Sequence, residues 1–511
     1  MPAAQPSSTL FTGVYIYDAE QVTGMSGPTD LLVEGNRISS IGGEARARAG
    51  ADARVIEGGS HHLVVPGLIN AHFHSPANHL KASLPSLPLE LFMLYESPSD
   101  AALTPTPREA YLRTMLGALE MLRTGTTAVQ DDAFIMPFPT PDILDAVMQA
   151  YADCGIRASV ALDQPELAEA DKLPYLDLIE DPAVRAALDQ SAPMGREGLL
   201  EMYEYLVSTW HGAEAGRLTA ATSISAPQRV SIEYFEAIDD LSRRHNIPLF
   251  AHMLETKVQR ALSCTQPRFA GSSLVQYTAG LHLLSERMNV IHAVWVDDRD
   301  LELIAQAGAM IVHNPISNLR LGSGVAPFRR MKDFGITTAL GIDEAICDDS
   351  VNLWGVVKMT GLIHNVSGLD SDLWPSPSEV LDSLFSGGAA AMLQSDRLGA
   401  LRQGYLADLC LLDLNTLSFT PFNDLRTHLV YCESGTSVRL TMVDGNVVFE
   451  NDRISTVDEQ TLLDEARELF AQRRPAIDLA RRNSALVFPH YQAMVRRASA
   501  ADLGMSRWAN A

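Results

Sequence analysis

Cysteine is scarce in this chain. Its five cysteines, Cys154, Cys264, Cys347, Cys410 and Cys432, are scattered over 511 residues, and none falls in a Cys-x-x-Cys pair. That excludes a zinc ribbon and the cysteine-based signature of the zinc nucleobase deaminases. An odd count fits free thiols in a reducing compartment. Positive charge is also short: 39 Lys and Arg against 63 Asp and Glu leave a formal net charge of −24. Such a field repels nucleic acid and anionic membrane. No apolar window approaches the length of a membrane span. Residues 1–12 carry neither a basic stretch nor an apolar one, so no secretory signal is visible. The expectation is a soluble, cytoplasmic enzyme for a small molecule, neutral or cationic rather than polyanionic, with no nucleic-acid or membrane partner.

The chain is too long for one simple core, so a large domain with additions is expected. Residues 1–65 alternate short strand-like runs with turns, including a hairpin signal at Glu34-Gly-Asn-Arg37. From 66 to 395 apolar strand runs alternate with helical stretches, the texture of a parallel sheet. Eight such runs occur, at 68–74, 126–131, 156–163, 219–226, 248–252, 289–292, 309–314 and 337–343. They predict an α/β fold, a (β/α)8 TIM-type barrel. Strand character returns over 396–455, at 407–413, 429–431, 438–443 and 446–449, with a hairpin turn at Asp444-Gly445. Those strands need a partner face, and pairing with the N-terminal strands gives one flanking β-sandwich built from both chain ends. Residues 456–511 read as a helical tail broken at Pro475, whose pairs Arg473-Arg474, Arg481-Arg482 and Arg496-Arg497 form a solvated or subunit-contact face, with anion binding as the alternative.

The most informative run is Pro66-Gly67-Leu68-Ile69-Asn70-Ala71-His72-Phe73-His74. Side chains two apart on a strand share a face, so both imidazoles can reach one ion. Other apolar runs also end in polar side chains: His252, His292 and Asp343. Polar groups repeated at the carboxyl ends of barrel strands are where barrel enzymes place their chemistry. His72, His74, His252 and Asp343 offer three imidazoles and a carboxylate, suited to one divalent metal ion, Zn²⁺ or alternatively Fe²⁺. Such an ion makes hydroxide available at neutral pH. Glu255, three residues past His252, is placed to carry a proton to a nitrogen, and His292 to assist as acid, base or electrostatic aid.

These segments resemble the amidohydrolase superfamily, in particular its branch of aminohydrolases and triazine chlorohydrolases related to cytosine, guanine and adenosine deaminases. The resemblance runs through Val65-Pro-Gly-Leu-Ile-Asn-Ala-His-Phe-His74, Arg123-Thr-Gly-Thr-Thr127, His252-x-x-Glu-Thr256, His313-Asn-Pro-Ile-Ser-Asn318, Gly404-Tyr-Leu-Ala-Asp408 and Val443-Asp-Gly445. It implies metal binding by His72, His74, His252 and Asp343, proton handling by Glu255, His292 and Asp343, and a homodimer or higher oligomer. Binuclear members carry a bridging lysine or carboxylate near the end of strand four. Strand four here has neither, so one ion is expected.

The implied reaction is hydrolysis of a non-peptide C–N bond in a small aromatic or heteroaromatic molecule. Its leading form is deamination. Amide or aryl-urea hydrolysis and dechlorination are the alternatives, and a metal-free assembly scaffold is the non-enzymatic one. Gln228 stands where deaminase relatives often carry His, and Glu344 follows Asp343 where Gly is usual, so both are candidate substrate contacts. The apolar stretch 84–95, ending in Tyr95, either covers an aromatic substrate or packs as a helix on the barrel. His79 either touches substrate or holds its loop.

Overall fold

The computed structural model describes residues 8–98 and 101–508. Eight parallel strand positions form the barrel. They are Leu68–Phe73, Thr126–Ala133, Arg157–Leu162, a fourth in two pieces (Leu218–Ala220 and Thr222–Ser223), Leu249–Met253, Met288–His292, Met310–His313 and Thr338–Leu340. Strand four, expected as one run, is split because it changes partner within two residues. Ala221 N–H donates to Val160 O of strand three, and Thr222 N–H to Pro248 O ahead of strand five, both at 2.8 Å. The ring closes at the future site: Asp343 N–H donates to His72 O and His74 N–H to Asp343 O, each at 3.0 Å.

Small apolar side chains fill the barrel below those ends. Ala71, Ala161, Ala221, Phe250, Ile291, Val312 and Ala339 come from seven of the eight strands and are all buried. The polar residues at this level are satisfied internally: Asn289 Nδ2 donates to Gln130 Oε1 at 3.2 Å, and both amides donate to Ala391 O at 2.9–3.0 Å. Two of the helices between strands begin with strong local start signals. Thr106 with Glu109 and Asp297 with Asp300 form reciprocal capping boxes at Pro107–Arg123 and Asp298–Ala307.

Both chain ends contribute to one nine-stranded sheet. Leu409–Asp413 lies antiparallel to His62–Pro66, joining the C-terminal strands to the N-terminal ones. Bulges in Ser8–Tyr17 fold the sheet over a shared core that includes Phe11, Val14, Leu31, Val64, Leu409 and Met442. Arg157, at the start of barrel strand three, ties this sheet to the barrel. It donates twice to buried Asp408 (2.7 and 3.0 Å) and once to part-buried Asp444 (3.0 Å). Gly445 in the Asp444-Gly445 turn has φ +76°, and a Cβ there would meet Gly35 O at 2.0 Å, so the two hairpin turns touch only because this residue lacks one.

Three sequence expectations are corrected here. The 429–431 run is the end of a helix, Leu425–Tyr431, because Asp424 caps it and the spacing of Leu425 and Leu429 buries one helical face. Pro475 does not break the tail: Glu459–Ser484 is one helix. An internal proline costs about 3 kcal/mol, and anchoring on both sides offsets it. Arg473 Nε lies 2.6 Å from Glu109 Oε1, while Arg481 donates to Tyr95 O at 3.1 Å and Ser83 Oγ at 2.9 Å. Those two arginines are therefore tethers, unlike their exposed neighbours Arg474 and Arg482. The tail helix and the following helix, Phe488–Ala500, both pack on the helix Leu89–Glu96 that overhangs the barrel mouth. Among the described residues no helix is long and apolar enough to cross a membrane.

Candidate metal centre and active site

His72, His74, His252, Glu255, His292 and Asp343 converge at the carboxyl end of the barrel. His72 Nε2 lies 3.2 Å from His252 Nε2 and 3.4 Å from Asp343 Oδ1, and His74 Nε2 lies 3.4 Å from the same Oδ1. Donors 2.0–2.1 Å from one tetrahedral ion stand about 3.3 Å apart. The spacing therefore fits a single divalent cation shared by the four groups.

The imidazoles are oriented for that role. His74 Nδ1–H donates to Asp132 O at 2.5 Å and His252 Nδ1–H to Ser225 O at 2.8 Å, leaving each Nε2 lone pair aimed inward. Burial lowers the pKa of His72 to about 3 and holds His252 well below the usual histidine range, so both are neutral at pH 7. Asp343 is ionised: burial alone would raise it, but His72, His292 and His74 outweigh burial and hold it far below the usual carboxylate range.

Backbone strain concentrates at this end of the barrel. Ser225, Leu254, His292 and Asp343 take φ between +55° and +73°, a region non-glycine residues rarely adopt. Gly341 lets strand eight approach strand one, since a Cβ there would lie 2.3 Å from Asn314 Oδ1 and 2.8 Å from His72 Cβ.

Beside the four donors sits the proton-handling pair. His292 Nδ1–H donates to Asn318 Oδ1 at 2.9 Å, so its Nε2 faces Glu255 Oε2 at 3.6 Å and Asp343 Oδ2 at 3.9 Å. Glu255 is 3% exposed and its Oε1 has no partner. Burial, reinforced by Asp343 and Glu90, holds its carboxyl well above the usual carboxylate range. It is a carboxyl group poised to carry a proton.

A cavity opens over these groups. Its lining combines apolar side chains, Leu89, Phe92 and Met93 of the overhanging helix with Phe134 and Leu321, and polar ones, Glu96 of the same helix with Gln228, Arg229, Asp163 and Glu344. Gln228 and Glu344 thus line it as expected. Burial pushes Glu96 up to about 7, with Asp163 and Asp343 adding to the rise, and burial with Glu96 and Asp343 raises Glu344 further above its ordinary range.

His79 and Tyr95 do not line this cavity, which corrects their reading as substrate contacts of the catalytic pocket. Tyr95, on the helix Leu89–Glu96, faces Phe488 across 6.0 Å and borders a neighbouring cavity that Glu96 also lines. His79 packs 5.2 Å from Phe470 of the tail, its Nδ1 bonded to Pro76 O at 3.1 Å. Sequence reasoning also left several residues without a role. Ser317 donates to Asp343 Oδ2 at 2.5 Å and Asn318 orients His292; both lie in the His313–Asn318 segment, where only the spacing from strand seven could have flagged them. Asp163, at the end of strand three like His252 at the end of strand five, follows the same strand-end rule and was passed over.

The sequence profile of the amidohydrolase family matches residues 63–448. The chain belongs to the amidohydrolase family. It is 32% identical over 446 residues to the 5-methylthioadenosine/S-adenosylhomocysteine deaminase of Nitratidesulfovibrio vulgaris, covering 86% of this chain and 91% of that one. With the 5'-deoxyadenosine deaminase of Methanosarcina mazei it shares 29% identity over 439 residues, 86% and 92% of the two chains. Two solved structures share the fold. An adenosine deaminase of Xanthomonas campestris with bound zinc gives a TM-score of 0.77 at 24% identity, over 93% of this chain and 99% of that one. An atrazine chlorohydrolase of Arthrobacter aurescens complexed with zinc gives 0.77 at 23%, over 90% and 100%. Family and relatives make this chain a metal-dependent hydrolase acting on C–N bonds other than peptide bonds.

Proposed function

We propose that this amidohydrolase is a zinc-dependent deaminase of adenine nucleosides modified at the 5' position. The relatives named above support the substrate class. The observation that carries the reaction is the convergence of a four-donor metal set with a protonated Glu255 on one cavity. His72, His74, His252 and Asp343 hold the ion, which when bound supplies Lewis-acid activation of water. Water adds its oxygen to C6 of the base and the C6–N bond breaks, giving ammonia. Glu255 donates its proton to the ring nitrogen beside that carbon, which makes the carbon electrophilic. Asp343 takes the proton released by water, and the neutral His292, with its lone pair 3.9 Å away, stabilises that transfer. That proton then passes to the departing amine, and the hydroxyl left on C6 returns its proton to Glu255 as the C6 carbonyl forms.

The cavity suits a heteroaromatic ring, since apolar side chains and a few polar groups together line it. Gln228 presents an unpartnered, buried Oε1 to the base, and Glu96, Asp163 and Glu344 are acceptors for hydroxyl or amino groups. The test is ammonia release from 5'-deoxyadenosine, 5-methylthioadenosine, S-adenosylhomocysteine and adenosine, with chloride release from atrazine scored in parallel. Ammonia from the nucleosides supports the reading. Chloride alone, or an aryl amine from an anilide or phenylurea, overturns it.

A further inference from the structure

Residues 501–508 leave the helix Phe488–Ala500 and turn at Gly504, whose φ is +69° and whose N–H is accepted by Asp502 Oδ1 at 2.9 Å. This stretch lies beyond residues 63–448, the part matched by the amidohydrolase profile. It nevertheless bonds to the barrel mouth at four points. Arg507 donates to Val294 O through Nε at 2.9 Å and to Val296 O through Nη2 at 2.5 Å, gripping the loop after strand six on both sides of Trp295. The Arg507 carbonyl accepts Val325 N–H at 2.8 Å, from the segment that follows strand seven. Trp508 donates its indole N–H to Gly322 O of that segment at 3.1 Å, and its ring stands edge-on to Trp295 at 5.3 Å. Gly324 permits the close approach: its φ is +124°, and a Cβ there would lie 2.8 Å from Arg507 O.

The gripped loops lead straight to the proton-handling residues. Trp295 is wholly buried. Its backbone N–H donates to Leu254 O at 2.7 Å, one residue before Glu255, and its indole N–H to Ser323 O at 2.7 Å. Ser323 N–H in turn donates to Asn318 O at 2.8 Å, and Asn318 is the residue that orients His292. The pairing of strands five and six ends at Met253 and His292, so the residues beyond depend on loop bonds of this kind. They include strained backbone: Leu254, His292 and Ala293 hold φ of +55°, +72° and +47°. Such conformations in non-glycine residues persist only where the surroundings over-determine them. The four metal donors stand elsewhere, on strand one, strand five and the end of strand eight.

We infer that Arg507 and Trp508 are positioning residues for the hydrolysis: they clamp the loops after strands six and seven, and through Trp295 and Asn318 hold Glu255 and His292 in line with the metal centre. Neither lines the catalytic cavity. Losing the clamp therefore slows the proton transfers and leaves the bound ion and the affinity for substrate as they were. A displacement of about 1 Å at a reacting group costs up to about 10²-fold in rate. The inference rests on the reading of Glu255 and His292 as proton carriers, and not on the identity of the substrate.

The experiment compares variants on whichever substrate of the panel above the parent turns over. Arg507→Ala lowers kcat by about tenfold or more, while KM stays within about twofold and bound metal at the parent level. Arg507→Lys restores most of the loss, because an ammonium also donates to backbone carbonyls. Trp508→Ala, at a side chain already 37% exposed, moves kcat in the same direction. Arg474→Met, exposed on the tail helix, leaves it as in the parent. In the Glu255→Gln background Arg507→Ala costs less than about twofold more, since both act on one step. Parent kcat in both Arg507→Ala and Trp508→Ala overturns the inference. So does a loss confined to KM, or one that multiplies in full onto that of Glu255→Gln.

Amide hydrogen exchange reads the clamp without any substrate. In Arg507→Ala the Trp295 and Ser323 amides exchange faster, while those of His74 and Asp343, which close the barrel, keep the parent rate. Unchanged exchange at Trp295 and Ser323 overturns the clamp whatever the enzyme hydrolyses. The kinetic pattern appearing on atrazine, with no ammonia from any nucleoside, defeats the deaminase reading alone.

Discussion

The Nε2 atoms of His72 and His252 lie 3.2 Å apart although 180 residues separate them in the chain. The Nδ1–H of His252 is spent on Ser225 O, so its Nε2 presents a lone pair toward His72, and both imidazoles are neutral. Ring nitrogens at that spacing can share one cation. Zinc added to chelator-treated protein is therefore expected to raise Tm, by binding the native state. In His252→Ala most of that rise disappears, as read by calorimetry.

Glu255→Gln keeps the shape of the side chain and removes its proton. Turnover is expected to fall by about 10²–10⁴, the usual worth of a general acid, while bound metal remains at the parent level. Steady-state ammonia release together with metal analysis checks both halves.

The buried ion network of Arg157, Asp408 and Asp444 is the main polar link between barrel and sheet. Asp408→Ala strands the Arg157 charge and is expected to cost about 3–5 kcal/mol in unfolding free energy. Denaturant titration reads this directly.

Asp348, in the turn after strand eight, is pushed up from 3.8 to about 7 by burial and by Glu120 and Asp349. Between those values the folded chain holds a proton that the unfolded chain has released, so stability falls as pH rises through that window. Asp348→Asn removes this dependence. Its Tm is expected to drop less than the parent's between pH 5 and pH 7.5, which scanning calorimetry at each pH will show.

Much of the site was legible because one rule carries it: an apolar run that ends in His or Asp is a barrel strand presenting that residue at its carboxyl end. His72, His74, His252, His292 and Asp343 all obeyed it. Glu255 followed from its spacing to His252. Residues whose role comes from packing were not legible. Tyr95 and Phe92 lie three apart in one apolar run, and only the packing of Leu89–Glu96 against the tail decides which of them lines the catalytic cavity. Arg473 and Glu109 sit on amphipathic helices far apart in sequence, and nothing local says that they pair. The Leu429–Tyr431 segment shows the same limit, since a short apolar run fits a strand or a helix until the Asp424 cap is seen in place.

The central claim is that four side chains from strands one, five and eight grip one ion. Elemental analysis of purified protein, parent beside His72→Ala and Asp343→Ala, tests it most directly. The account predicts about one divalent ion per chain in the parent and a small fraction of that in each variant, with the folded far-ultraviolet spectrum retained. Metal-free parent that still hydrolyses its substrate, or variants that keep the full complement of ion, would contradict it.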